Sequence, residues 1–190
     1  FTWYSENLYV DYFFGKQASA EYVIGTRRGI SNKKPIIGQY DINREGSGDM
    51  YSKGANLLHT IRQLAKDDEV WRQTLRGLNE EFYHSTVTTK EIEYYISKSI
   101  GIDLSKVFDQ YLRDYRVPIF EYEITNGELN YRWNNVIEGF DMPVQVIIDG
   151  KNTFLYPTSE FKKMPIDNLY INVDDDYYIF TKDLKIVIES

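Results

Sequence analysis

The chain has 190 residues, 42% of them apolar, 16% aromatic and 27% charged, enough to pack a core as one domain or two small ones and too apolar for disorder. It contains no Cys, which excludes disulfides, thiolate metal sites and a cysteine nucleophile. A net charge of −7 argues against a nucleic-acid partner, which would want a basic patch, and no apolar run approaches the roughly 18 residues of a membrane span.

The charge is unevenly spread. Residues 1–117 balance 16 Lys/Arg against 16 Asp/Glu, whereas residues 118–190 carry 6 against 13. Pro35 stands alone in the first part, while Pro118, Pro143, Pro157 and Pro165 lie in the second. Val117-Pro118 is therefore read as a boundary between a helical part, 1–117, and an acidic β-rich part, 118–190. Phe1 is neither an initiator Met nor the start of a leader peptide, so the sequence reads as a piece of something longer.

In chain order, Trp3, Tyr4, Leu8, Tyr9, Tyr12 and Phe13 fall near one helix face over 3–14, with Gly15 ending the pattern. No capping residue precedes this helix. Helical spacing resumes through Ala18, Ala20, Tyr22, Val23 and Ile24 and ends near Gly29. From Ser31 to Asp49 periodicity is lost, and Pro35, Gly38, Gly46 and Gly48 mark a long loop, a length that in a compact domain asks for a function. A strong helix is predicted over 50–66, with Asp49 as its N-cap, Gly54, Leu57, Leu58, Ile61, Leu64 and Ala65 facing inward, and Lys53, Asn56 and Arg62 facing solvent. A further helix is predicted over 68–83. Thr88 and Glu91 form a capping box for 89–100, closed by Gly101, and Asp103 is read as the cap of a last helix through Leu112. Short connections imply an antiparallel stack.

Beyond Pro118, Ile119 to Ile124 and Leu129 to Trp133 alternate around Asn126-Gly127, a favoured type I′ hairpin turn. Val144–Ile148 and Thr153–Tyr156 make a second pair around Asp149-Gly150. Leu169–Val173, Tyr177–Phe180 and Lys185–Ile188 complete a small antiparallel sandwich, so the fold class is α+β.

Few residues offer chemistry. His59 and His84 stand too far apart for a helical metal clamp, and His59, between leucines, reads as a hydrogen-bonded core histidine. Gly46-Ser47-Gly48 lacks the flanks of a phosphate loop. Asp174-Asp175-Asp176 lacks the alternation of a calcium loop and reads as a charged turn.

The run Gly48-Asp49-Met50-Tyr51-Ser52-Lys53-Gly54 resembles the Tyr-x-Lys-Gly helix start of the zinc aminopeptidase (gluzincin) family typified by aminopeptidase N and the leukotriene hydrolase. Phe1-Thr2-Trp3-Tyr4 is similar to the tail of that family's Glu-x-Phe-(Thr/Ala)-x-Tyr segment, whose Glu is the third zinc ligand. The resemblance covers essentially the whole chain. It implies the helical second half of a thermolysin-like catalytic domain followed by a β-sandwich, with Tyr51 donating a hydrogen bond to the oxyanion. The plainer reading of Tyr51, one of 17 Tyr packing a helix start, stands beside it.

The family's His-Glu-x-x-His motif has no counterpart in this sequence, and the third ligand would fall two residues before Phe1. The resemblance thus implies zinc and a peptide substrate for the parent enzyme, and no zinc and no activity for this chain alone. An interaction module without catalysis is the alternative. Either way, apolar surface around residues 1–15 and the 50s is expected to drive self-association.

Overall fold

In the computed structural model, which describes residues 1–39, 45–167 and 170–185, helices occupy the chain up to Arg113 and strands begin at Ile119. Helix α1 (Thr2–Phe14) starts without a side-chain cap and ends at Gly15, whose φ of 89° breaks the helix before α2 (Lys16–Gly25). The two pack together, and Ser19 Oγ donates to the Asn7 carbonyl at 3.1 Å. Only Tyr4 and Asn7 of α1 are fully buried; Tyr9, Tyr12, Phe13 and Phe14 face outward.

Helix α3 (Ser52–Leu64) lies at the centre and is buried around almost its whole circumference. α1 and α2 both pack on it, and Arg62 binds Asp11 of α1 at 2.7 Å and Asp68 of the next helix at 2.8 Å. That helix, α4 (Asp68–Glu81), is capped by Asp67, whose side chain accepts the Val70 N–H. The capping box of α5 (Thr89–Ile100) forms as predicted, and Gly101 adopts the left-handed conformation that closes it. The last helix departs from expectation. α6 (Ser105–Phe108) is a single turn whose N-cap is Leu104, and it widens into a π turn over Asp109–Arg113. Asp103 accepts the Ser105 N–H from outside the cap position. The widened turn carries Gln110 inward, where it donates to the Arg116 carbonyl and accepts from the Ile137 N–H.

The strands form two sheets. β1 (Ile119–Thr125) and β2 (Glu128–Asn134) pair antiparallel about Asn126 and Gly127, both at positive φ as a type I′ turn requires. β3 (Val144–Ile148) and β4 (Lys151–Leu155) repeat this arrangement about Asp149-Gly150. Unforeseen in the sequence is β5 (Lys162–Pro165), an edge strand that tolerates Pro165 and pairs with β2. β6 (Ile171–Val173) pairs with β3. The four-stranded order is β5-β2-β1-β7, the three-stranded order β4-β3-β6.

Two strand expectations are corrected. β7 (Phe180–Asp183) runs parallel to β1, so the sheets are not wholly antiparallel. Tyr177 to Ile179 make no strand, because the helices take their backbone groups: Thr60 Oγ1 accepts the Tyr178 N–H at 2.9 Å, and the Tyr111 hydroxyl donates to the Tyr178 carbonyl at 2.6 Å. Leu169 and the strand expected over 186–188 lie outside the described residues.

The inward residues of both sheets and of all the helices belong to one apolar cluster, running from Tyr4 through Ile61, Trp71 and Tyr111 to Phe120, Trp133, Val146 and Tyr178. It crosses Pro118 without interruption.

Candidate active site

The 31–49 segment is pinched at its base. The Ser47 N–H donates to the Pro35 carbonyl and the Ile37 N–H to the Leu112 carbonyl. At Gly46 a Cβ would stand 1.8 Å from the Ile36 carbonyl oxygen, so the two sides of the loop meet this closely only because residue 46 has no side chain. From this base a short 3₁₀ turn over Gly48–Met50, capped by Ser47 Oγ, leads into α3.

Asp49 was expected to cap α3, and it does not. The residue before the helix is Tyr51, which provides no side-chain cap. Asp49 is 6% exposed and turns the other way, where its carboxylate accepts the N–H groups of Ser31 (3.0 Å) and Asn32 (2.8 Å) and the Ser31 hydroxyl. Burial would raise its pKa, but these donors outweigh burial and hold it below the usual carboxylate value.

Tyr51 stands at the junction of the 3₁₀ turn and α3. Its N–H reaches the Gly48 carbonyl and its own carbonyl accepts the Ala55 N–H. The side chain is 53% exposed, and its ring lies 5.6 Å from that of Trp3 on α1, tilted by 41°. A phenol in this position is half-exposed and has one aromatic wall. Trp3 was not singled out in the sequence as a neighbour of Tyr51, because residues 48 apart reveal no contact before the chain folds.

The polar residues of α3 are also corrected. Lys53, expected to be an exposed cation, is 1% exposed; its ammonium donates to the carbonyls of Asp114 (3.3 Å) and Tyr115 (3.4 Å), and burial lowers its pKa against the opposing pull of Asp49 and Asp114. Asn56, expected outside, is fully buried: its amide donates to Val23 O, Thr26 Oγ1 and Ser52 O, and its oxygen accepts from Arg27 Nε at 2.7 Å. Arg62 is likewise largely enclosed between its two aspartates. Gly54, expected to face inward, has among the described residues nothing within 4 Å of where its Cβ would be. Nothing in the spacing warned of this: Ala55, Leu57, Leu58, Ile61 and Leu64 share one half of the helix, and Lys53, Asn56 and Thr60 share the other, which reads as a solvent face until other elements pack over it.

Beyond this start, His59 is buried with Nε2 at 3.0 Å from Asp176, as a hydrogen-bonded core histidine should be. The Asp174–Asp176 turn is charged as expected, and it also receives Arg27, whose guanidinium donates to the carbonyls of Asp175 and Asp176. Among the described residues no group of three or more His, Cys, Asp and Glu converges on a point where a metal ion could sit. The metal the family resemblance implies therefore does not fit a ligand set made of these residues. A cavity of about 480 Å³ opens between α1, α3 and α4, lined by Asp11, Arg62, Asp68 and Trp71 among others; Tyr51 does not line it.

No family model matches the sequence, and no curated protein sequence matches it. Its fold is similar to part of the crystal structure of Legionella pneumophila aminopeptidase A in complex with aspartic acid, with a TM-score of 0.66 and 12% identity. The match covers 95% of this chain and 23% of that one, so the chain spans less than a quarter of that enzyme's length. At such identity the likeness is one of fold.

Proposed function

We propose that this chain is part of a zinc-dependent aminopeptidase acting on the N-terminal residues of peptides, that Tyr51 is its oxyanion donor, and that the chain alone is inactive. The observation that carries this reading is the placement of Tyr51: a half-exposed phenol at the start of the central helix, against Trp3 of the helix whose sequence resembles the family's third-ligand segment. The fold likeness to a peptidase supports it.

What Tyr51 would do follows from its chemistry. Attack on a peptide carbonyl turns a neutral oxygen into an anion, and a fixed O–H donor aimed at that oxygen binds the transition state more strongly than the substrate. The donor costs little to hold in place when its backbone is already constrained, as the 3₁₀ turn and α3 constrain Tyr51.

Tyr51→Phe in the full-length enzyme tests this. It is expected to lower kcat by roughly 10²–10³ with KM and bound metal little changed, the usual cost of one oxyanion donor. Full turnover in the Phe variant would overturn the assignment. Sequence upstream of Phe1 lacking His-Glu-x-x-His followed by Glu would overturn the family reading itself.

A further inference from the structure

Lys53 is a costly residue to bury. An ammonium taken out of water loses hydration that neutral carbonyls replace only in part, and an apolar side chain of similar length would avoid that loss. Among the described residues, its hydrogen-bond partners are the carbonyl oxygens of Asp114 and Tyr115. The nearest carboxylates are committed elsewhere, Asp114 to Arg116 at 2.8–3.2 Å from its guanidinium and Asp49 to Ser31 and Asn32. The arrangement is thus a mechanical tie between the first turn of α3 and the segment that follows the π turn.

Its position gives the tie a use. Residues advance by about 100° around a helix, so Lys53 projects roughly 200° from Tyr51, on the opposite side of the same turn. Asp49 fastens the approach to that turn on one flank, and Lys53 fastens its first residues on the other. Between them stands Tyr51, with the Trp3 ring 5.6 Å from its own.

We propose that Lys53 is the positioning residue of Tyr51: by docking on the Asp114 and Tyr115 carbonyls it fixes the first turn of α3, and so fixes where the Tyr51 hydroxyl stands. The catalytic half of this statement rests on the oxyanion reading of Tyr51; the structural half does not.

The structural half is tested on the 190-residue chain by the nuclear Overhauser contact between the Trp3 and Tyr51 rings. In Lys53→Met this contact is expected to fall several-fold while helix content stays unchanged. A contact of undiminished intensity would overturn the proposal. Should Lys53→Met not fold, Lys53→Gln, whose amide nitrogen stops one bond short of the ammonium position and so cannot dock on the Asp114 and Tyr115 carbonyls as Lys53 does, takes its place under the same criterion.

The catalytic half is tested by a double-mutant cycle in the full-length enzyme. Lys53→Met is expected to lower kcat by roughly 10–100-fold with KM little changed, as a misplaced catalytic group does. In the Tyr51→Phe background it is expected to cost nothing further. Equal losses in both backgrounds would show that Lys53 does not act through Tyr51. If Tyr51→Phe alone retains full turnover, the oxyanion reading fails, and the ring contact still decides the structural tie.

Discussion

Asp49 bears more structure than any cap it might have been. Its carboxylate gathers two backbone N–H groups and a hydroxyl from Ser31 and Asn32, closing the loop that ends just before α3. Asp49→Ala would remove the acceptor of the exposed Ser31 and the half-buried Asn32 donors, and is expected to cost about 1–2 kcal/mol, read as a lower urea midpoint at unchanged slope. A loss under about 0.5 kcal/mol would mean the loop base holds without it. Asp68 carries a pH dependence. The hydrogen bond from Arg62 leads in holding its carboxyl down to about 2, burial opposing. A carboxylate whose folded pKa is depressed adds stability above its unfolded value, near 3.9, and loses it as pH falls toward 2. Wild type is therefore expected to exceed Asp68→Asn by about 1–2 kcal/mol at pH 6, the gap closing between pH 4 and 2. A gap constant across that range would remove the Arg62 bond as its source.

Among the elements, α1 and α3 are opposites. α3 is buried on nearly all sides, so its polar residues became internal fasteners: Lys53 to the 114–115 carbonyls, Asn56 to the end of α2, Thr60 to the Tyr178 N–H. α1 buries Tyr4, whose hydroxyl accepts the Trp71 indole N–H and whose pKa burial raises to about 12, and leaves a ladder of rings outside. The ring centres of Tyr9 and Tyr12 lie 4.6 and 4.8 Å from that of Phe13, the first tilted and the second edge-on. An exposed aromatic cluster of this kind favours association. Concentration-dependent sedimentation is expected for the chain and is expected to weaken in Phe13→Glu. A wild-type monomer at every concentration would count against it.

The molecule as a whole is held across Pro118 by one core and by a polar clasp centred on Tyr178. Its N–H, carbonyl and hydroxyl bond to Thr60, Tyr111 and Asn32, and Arg27 lies 5.5 Å above its ring. Parts joined this way share the cost of unfolding. Calorimetry is expected to show a single transition, and Tyr178→Ala is expected to lower its midpoint by several degrees as the buried ring, the Asn32 bond to its hydroxyl and the Arg27 contact are lost, the backbone bonds to Thr60 and Tyr111 remaining. Two resolved transitions would instead show that 1–117 and 118–190 are separately stable.

Local rules carried the sequence far where the cause of a structure is itself local. The Thr88–Glu91 box, Gly101, and the Asn126-Gly127 and Asp149-Gly150 turns depend on residues within four positions of each other, and all were legible. So was Tyr51 as a candidate, through a resemblance over a few residues. What stayed hidden depends on who meets whom. Periodicity says which side of α3 is apolar, and it does not say that a second and third layer will cover the other side; hence Lys53, Asn56 and Arg62 were placed in water. Tyr177–Ile179 has the composition of a strand, but its backbone groups bond to helix side chains more than a hundred residues earlier or nearly seventy. Trp3 meets Tyr51, Arg27 meets Asp175, and β7 meets β1 in parallel only after the chain closes upon itself. Spacing along a sequence encodes the first kind of contact, whereas the second is set by packing the whole core at once.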